Sequence, residues 1–337
     1  MKNVFVAALL LVAASNGVVA GQTAATSPLL AHQGVIPPAA ADREEVGFAR
    51  FGLSGAVNVL PAAPGESAAD GSSLAPHVAG WVGGHRWKPL AAQPETGLLG
   101  EPAPTAAGFL RDSIMTPGAA GIWLLEGEGG EAIQVITQVP ASAQEGAHLN
   151  GYHIGIYPTA GSDREDVYVP PAAFIEITPT NRDFAISEHV ALGQFTTKDQ
   201  FDVWPKYVAL NLKLVDKLEL VIQELNAMGI RAEAIDVMSG FRTPQYNGPG
   251  GDGRASLSRH MWGDAADVWI DNDGDDQMDD LNGDGRIDLD DAAVMMRAVE
   301  RVESKYPSLV GGAGIYPTTN THGPYIHIDA RGHRSRW

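Results

Sequence analysis

The stretch that decides the fold is Ser256–Asp267, which reads SLSRHMWGDAAD. It places His260 and Asp267 seven residues apart. A neutral imidazole and a carboxylate are both good zinc ligands, and a catalytic zinc takes three protein ligands and keeps one position open. The stretch therefore predicts two ligands of a metal site and requires a third from elsewhere in the chain.

The third ligand is predicted in the C-terminal run GPYIHIDARG. Its apolar and polar residues alternate as in a strand, which puts His327 and Asp329 on one face. His327 is the predicted third zinc ligand. His322 lies five residues earlier and competes with it, because either His can ligate a metal while the other serves in acid–base chemistry.

Around these residues the chain resembles the zinc D-Ala-D-Ala carboxypeptidase family of murein peptidases, whose fold the Hedgehog signalling domain shares. The resemblance lies in S-x-H-x-x-G-x-A-x-D at Ser258–Asp267, preceded by SGFRTPQYN and followed by GGAGIYP and YIHID, in the family's order. It covers residues 181–337. It implies an α+β fold with a mostly antiparallel sheet, in which His260, Asp267 and His327 hold zinc.

One position departs from the carboxypeptidase pattern. The family's general base is an acidic residue three positions before the last zinc-binding His, and that position is Pro324 here. His322 and Asp329 are the nearest replacements in the sequence, and a base must come within hydrogen-bond reach of the attacking water. We expect His322 to be the base. The alternative makes His322 a loop residue and Asp329 a partner that orients a metal ligand.

Arg242 lies in SGFRTP, where a Gly and a Pro mark the end of a strand. A guanidinium is a planar fork that pairs with a carboxylate or a carbonyl. The family resemblance assigns this Arg to substrate binding as part of the catalytic site. The alternative is an Arg that pairs with a surface carboxylate, because Arg prefers exposed sites.

A second group of metal ligands is predicted between Asp267 and His327. From Asp280 the sequence reads DLNGDGRIDLDD, which has oxygen donors and a Gly at the positions of an EF-hand calcium loop. Asp291 stands where the commoner loop has Glu, as in dockerin-like loops. The predicted calcium ligands are Asp280, Asn282, Asp284, Asp288, Asp291 and the backbone carbonyl of Arg286.

Just upstream, Asp271, Asp273 and Asp275 repeat the start of such a loop, but Asp276 stands where Gly belongs. A second calcium is therefore a weaker prediction. The alternative for the whole segment 271–291 is a solvated acidic run. Oxygen donors prefer calcium and histidines prefer zinc, so calcium should bind the acidic loops and zinc the histidine site without competing with each other. The calcium is expected to be structural.

Composition limits the classes of partner. The chain has 337 residues, a formal net charge of −18 and no Cys. Phosphate binding requires a basic surface, so nucleic acid is not an expected partner. Without Cys there is no disulfide framework. Residues 1–20 predict a secretory signal peptide cleaved after Ala20, hence a periplasmic or extracellular protein with no membrane segment after cleavage.

Four segments are expected. After the signal peptide, residues 21–110 are rich in Ala, Pro and Gly and predict a linker or propeptide. Residues 111–180 contain short β-rich runs and predict a small β domain. Residues 181–337 form the predicted peptidase domain. It includes a long helix that opens at Pro205 and closes at Gly229. Its strands are predicted in the runs IDVMSGF, AADVWID, GAGIYP and YIHIDA.

Together these features predict a secreted zinc metallopeptidase that acts on peptide bonds of peptidoglycan. The choice between trimming a terminal D-alanine and cutting a cross-link stays open, with an endopeptidase favoured by Pro324. The alternative function is a metal-containing cell-wall binding protein that has lost hydrolysis on the same fold.

Overall fold

The computed structural model describes Ala56–Val59, His85–Pro89 and residues 120–127, 132–159, 161, 167–250 and 254–337. The predicted signal peptide lies outside these residues, as does most of the segment 21–110. Among the helices that are described, none combines the length and the apolar character needed to cross a membrane.

The strands are β1 (Ala56–Val59), β2 (His85–Pro89), β3 (Gly121–Gly127), β4 (Ala132–Thr137), β5 (Val139–Pro140), β6 (His148–Leu149), β7 (Tyr152–His153), β8 (Ala173–Ile177), β9 (Lys206–Val208), β10 (Ile235–Ser239), β11 (Ala265–Ile270), β12 (Gly312–Tyr316), β13 (Tyr325–Asp329) and β14 (Ser335–Arg336). The α-helices are α1 (Leu212–Ala227), α2 (Pro244–Asn247) and α3 (Leu289–Lys305).

A five-stranded sheet, in the order β10-β11-β13-β12-β14, is the centre of the C-terminal half. Its neighbours are antiparallel except for the parallel pair β12 and β14. The runs IDVMSGF, AADVWID, GAGIYP and YIHIDA were each predicted as strands, and all four are confirmed. The protein is a mixed α/β fold with mostly antiparallel sheets.

The two faces of this sheet differ because side chains alternate along a strand. Ala266 pairs with Ile328 and Val268 with Ile326, and all four are fully buried in the core. Helix α3 packs on β12 and β13, and α1 packs on α3. Asp267 and His327 therefore lie on the opposite face, called the site face below.

The predicted start of the long helix is wrong. Lys206–Val208 form β9, which pairs with β8, and the helix begins only at Leu212. Asn211 is its N-cap, and the Asn side chain accepts a hydrogen bond from the backbone N–H of Lys213. A capping side chain satisfies an N–H that the first turn leaves without a partner, which fixes the start there. The end is confirmed, because Gly229 follows the helix at φ +80°.

Two strands lie inside the segment predicted to be a linker. β1 pairs with β4 and β2 pairs with β3, which gives a four-stranded sheet in the order β1-β4-β3-β2. The linker prediction is wrong for these residues. A β3–β4 hairpin alone would leave two open edges, and the flanking strands supply hydrogen-bond partners for both.

The boundary expected near residue 181 does not separate two cores in the described part of the chain. β8, which precedes the boundary, pairs with β9, which follows it. Phe174 and Ile177 belong to the same cluster of buried side chains as Val268 and Ile326. The β-rich segment is therefore packed as part of the body that carries the site face.

A buried ion pair connects the helices to the strand that carries His327. Lys217 of α1 is 0 % exposed, and its Nζ donates to Glu303 Oε1 of α3 at 2.7 Å and to the backbone oxygen of Asp329 at 2.7 Å. Glu303 also accepts from Arg336 at 2.5 Å and from the backbone N–H of Gly311. Burial lowers the pKa of Lys217, and the charge of Glu303 opposes that shift.

Lys217→Met should lower the free energy of unfolding by about 3 kcal/mol, because breaking a buried pair leaves Glu303 short of a partner and Asp329 without its donor. Urea denaturation of both proteins measures the difference. Arg231→Met is the matched control, since its ion pair with Glu233 is exposed. Equal midpoints for the Lys217 variant and the wild type would contradict a stabilising role.

Candidate metal centre

The structure brings the three predicted zinc ligands together. His260 lies in a 3-10 helix, Arg259–Trp262, Asp267 lies on β11, and His327 lies on β13 directly opposite Asp267 in the strand register. All three side chains are buried. They form a group whose ligand atoms lie within 4.8 Å of one another.

The glycine of the S-x-H-x-x-G motif explains how His260 reaches Asp267. Gly263 ends the 3-10 helix in the left-handed region, at φ +70°, and β11 begins two residues later. A Cβ at this position would overlap the backbone of Ala209. Only glycine combines this turn with such close packing, and the turn folds His260 back over the strand.

The distances within the group suit one small ion. His260 Nε2 lies 3.2 Å from Asp267 Oδ1 and 3.2 Å from His327 Nδ1, and the last two atoms are 2.9 Å apart. Ligands at zinc bond lengths of about 2.0 to 2.1 Å in a tetrahedron lie roughly 3.3 Å from each other. The three atoms therefore have nearly the spacing of three ligands on one zinc, with a fourth position left open.

Hydrogen bonds on the outer side of each imidazole fix which ring nitrogen of His260 and of His327 faces Asp267. His260 Nδ1 lies 2.7 Å from the backbone oxygen of Gly240, which can only accept, so this nitrogen carries the proton. His327 Nε2 faces Asp329 Oδ2 at 3.2 Å and donates in the same way. In their neutral forms both rings thus point a lone pair at the Asp267 carboxylate. A bound cation satisfies three electron-rich atoms in this arrangement.

The pKa shifts agree with a site that exchanges a proton for a metal. Burial lowers the pKa of His260. Burial alone would also lower the pKa of His327, but hydrogen bonds to Asp267 and Asp329 outweigh it and raise that pKa. Burial would raise the pKa of Asp267, yet the two histidines hold it well below its usual range. Metal ligands must be deprotonated, so a divalent ion bound here would compete with protons at this group.

Arg242 contacts a predicted metal ligand rather than projecting freely. Its Nη2 donates to Asp267 Oδ2 at 2.6 Å, and its Nε donates to Ser239 Oγ at 2.9 Å. The pair holds the outer oxygen of Asp267 and leaves Oδ1 for the metal. The alternative role, pairing with a surface carboxylate, is not what the structure shows, because Asp267 is buried; the substrate contact stays a prediction.

Asp329 is fully buried and is occupied by other partners. Besides His327 Nε2, its carboxylate accepts the backbone N–H of Gly312 at 2.6 Å and the Nε of Arg331 at 2.8 Å. Burial alone would raise its pKa, but His327 and Arg331 hold it well below its usual range. This carboxylate orients His327 and has no free oxygen for general base work.

His322 lies outside the converging group. Its Nδ1 is 2.8 Å from the backbone oxygen of Gly323, so Nδ1 donates and Nε2 keeps its lone pair. The ring meets the edge of Tyr325 with a centroid distance of 4.9 Å. Tyr325 precedes His327 by two residues on β13 and shares the site face. His322 thus contacts a residue of the site face, and its role as base stays a prediction.

The Asp280 loop has the backbone contacts of a calcium loop. The Asp280 carboxylate accepts from the N–H groups of Gly283, Asp284 and Gly285 at 2.7 to 3.2 Å. Asp291 is fully buried and accepts from the backbone N–H groups of Leu281 and Asp288, and α3 begins at Leu289. Within the described residues, however, the carboxylates of this loop are not among the trios gathered within 4.8 Å.

The upstream loop gathers its carboxylates more closely. Asp271 accepts from the N–H groups of Gly274, Asp275 and Asp276, which repeats the pattern of Asp280. Asp276 adopts φ +62°, the left-handed backbone that the sixth loop position needs, and Asp is one of the few residues other than Gly that tolerate it.

Two trios of carboxylates form around Asp271, each within 4.8 Å: Asp271, Asp273 and Asp279, and Asp236, Asp271 and Asp276. Asp236 belongs to β10 and was not predicted as a ligand. It lies 35 residues before Asp271, and only the pairing of β10 with β11 brings the two together. The carboxylates of the Asp271 loop are thus gathered more closely than those of the Asp280 loop, although the sequence predicted calcium more strongly for the Asp280 loop.

At the level of the whole sequence, no known protein-family model, curated protein or solved structure matches the chain. The resemblance to the murein peptidases therefore consists of the motifs around His260 and His327. The function has to be inferred from the geometry of this site and the chemistry of its residues.

The purified protein should contain about one zinc per chain, because three N and O ligands with one open position suit that ion. Elemental analysis after dialysis measures the zinc content. A double variant, His260→Ala with His327→Ala, should lose the metal, whereas His148→Ala should keep it, because the His148 side chain is exposed and lies outside the group. Full zinc content in the double variant would contradict the site.

Calcium should raise the melting temperature of the zinc-loaded protein, because an ion that binds only the folded state adds about 2.7 kcal/mol at a concentration a hundredfold above its Kd. Asp273→Asn tests the upstream loop and Asp284→Asn the Asp280 loop. We expect the larger loss of the calcium effect in Asp273→Asn. A melting temperature that responds to neither calcium nor a calcium-selective chelator would show that both loops are solvated acidic segments that bind no calcium.

Proposed function

We propose that this protein is a secreted zinc metallopeptidase that hydrolyses amide bonds in the stem peptides or cross-links of peptidoglycan, on a fold of the Hedgehog/DD-peptidase type. One observation carries the proposal. His260 Nε2, Asp267 Oδ1 and His327 Nδ1 lie 2.9 to 3.2 Å apart, while the outer nitrogens of both rings donate away from the group. The mixed α/β architecture is compatible with that fold type.

A bound zinc would supply a Lewis acid that polarises the scissile carbonyl and activates water. The residues of the chain prepare the site for it. Arg242 holds Asp267 so that Oδ1 faces inward, and Asp329 holds His327 so that Nδ1 does. Such outer contacts orient ligands and are usually needed for full metal affinity. The guanidinium of Arg242 can also bind the carbonyl or carboxylate of a peptide.

His322 is the proposed proton acceptor. Its Nδ1 is committed to the Gly323 carbonyl, so Nε2 is free to take a proton from the attacking water. Asp329 is a poorer candidate because its oxygens are already paired with His327, Arg331 and Gly312. The departure at Pro324 resembles the family's endopeptidases more than its carboxypeptidases, which favours an endopeptidase.

The calcium loops are proposed to be structural. The upstream loop starts at Asp271, directly after β11 ends, and the second loop ends where α3 begins. Calcium in either loop would fix how β11 connects to α3, and α3 packs on the strand that carries His327. Removal of calcium would then reduce activity without removing a zinc ligand.

A second candidate function is binding of peptidoglycan without hydrolysis. The specific observation in its favour is the lack of an acidic residue at Pro324 together with the full engagement of Asp329. In that case the metal would stabilise the site face and His322 would be a loop residue. The two functions differ in a single measurable property, the release of product.

Incubation with purified peptidoglycan should release new amino termini or free D-alanine. His322→Ala should lose at least a hundredfold in rate, as expected for a general base, and keep its zinc. His148→Ala is the matched control. A zinc-loaded wild type that binds peptidoglycan but releases nothing from about pH 5 to 9 would leave only the binding function.

A further inference from the structure

A second group of imidazole and carboxylate ligands lies apart from the metal group around His260. Among the described residues, two of the trios that could hold an ion include a histidine. One is the metal group itself. The other consists of Glu188, His189 and Glu219, whose ligand atoms also lie within 4.8 Å of one another. None of these three residues was predicted as a ligand from the sequence.

His189 and Glu219 already lie at nearly the spacing of two ligands on one ion. Glu219 belongs to α1 and is only 2 % exposed. Its Oε2 lies 2.7 Å from His189 Nδ1, and its Oε1 accepts from the backbone N–H of His189 at 2.9 Å. Neighbouring ligands of an octahedral ion with bonds of about 2.1 Å lie roughly 3.0 Å apart. A shift of a few tenths of an ångström therefore makes room for an ion between the two side chains.

A tight turn brings Glu188 and His189 to α1. The backbone N–H groups of Ile186 and Ser187 both donate to the backbone oxygen of Val190, so the two ligands stand at the tip of the turn. The same turn contains the Oγ of Ser187, which is buried and has no hydrogen-bond partner. A buried polar atom without a protein partner commonly marks the place of a bound water or ion.

The charges of this trio favour a bound cation. In the described part of the chain, His189 is the only ion-pair partner of Glu219, and no Lys or Arg pairs with Glu188. Even with a protonated imidazole, two carboxylates thus meet one positive charge. The hydrogen bond to Glu219 raises the pKa of His189, which places a proton where a metal ion would bind. Since burial of an incompletely paired carboxylate is costly, a divalent ion in place of this proton stabilises the group.

We propose that Glu188, His189 and Glu219 form a second site for a divalent transition-metal ion such as manganese or zinc, separate from the metal group and from the acidic loops. One imidazole nitrogen and two carboxylate oxygens suit these ions better than calcium, which prefers oxygen donors throughout. Glu188 is exposed, so the ion is open to solvent, and we expect it to be lost in the dialysis that precedes zinc analysis. The proposal does not depend on the proposed peptidase function.

An ion at this trio would fix the segment that supports the metal group. The turn leads into a 3-10 helix, Leu192–Phe195, and the backbone oxygen of Phe195 accepts from the N–H of Phe241. The preceding residue, Gly240, supplies the backbone oxygen that faces His260 Nδ1. By joining the turn to α1, the ion would stabilise this support from the side away from the metal group.

Titration with Mn²⁺ tests the site in protein that is already loaded with zinc and saturated with calcium, so that the other sites are filled. Loss of the paramagnetic resonance signal of free Mn²⁺ measures binding. Glu188→Gln removes one ligand from an exposed side chain and should weaken Mn²⁺ binding by about tenfold or more, since even partners that only orient a ligand contribute that much. His189→Ala should do the same. Glu145→Gln and His333→Ala are the matched controls at exposed positions and should bind as the wild type does.

The melting temperature gives a second measurement. Mn²⁺ should raise it in the wild type, because the ion binds the folded state, and should raise it less in Glu188→Gln. A loaded wild type that binds no further Mn²⁺ overturns the proposal and leaves His189 as an ion-pair partner of Glu219 only. Unchanged Mn²⁺ affinity in Glu188→Gln, which keeps the buried pair intact and therefore folds, also overturns it, because the ion then lies elsewhere.

Discussion

The antiparallel pairing of β11 with β13 is the constraint on which the site depends. It places Asp267 directly opposite His327, and the alternation of side chains sends both to the site face while Ala266, Val268, Ile326 and Ile328 enter the core. A slip of one residue would bury both ligands among apolar side chains. The register is therefore set by the core, and the core holds the metal group in place.

Much of this could be predicted from local sequence. The ligands stand in motifs of fixed spacing, and alternating apolar residues mark the four strands of the C-terminal sheet that were predicted. The start of α1 was missed because apolar residues from Val208 onward fit a helical period, although Asn211 is a capping residue and signals the later start. The strands β1 and β2 were missed because their surroundings are rich in Ala, Pro and Gly, and because their own sequences, AVNV and HRWKP, contain few residues that favour strands.

Other features depend on contacts between distant residues and have no local signal. Asp236 approaches Asp271 only through the pairing of β10 and β11, and Trp337 reaches His327 only because Gly314 leaves room on β12. The contact between Arg242 and Asp267 likewise follows from the sheet. Residue type predicts what such groups can do, whereas their partners are decided by the register of strands far apart in the sequence.

Asp267 and His327 are separated by 60 residues, and the calcium loops and α3 lie between them. An ion held by both would tie the ends of this long loop as a disulfide bond ties the ends of a loop in other proteins. Closing a loop of that length removes unfolded-state entropy worth about 4 kcal/mol in the chain-entropy model. In a chain that has no Cys, one coordination site would then serve both as a reaction centre and as a substitute for a disulfide bond.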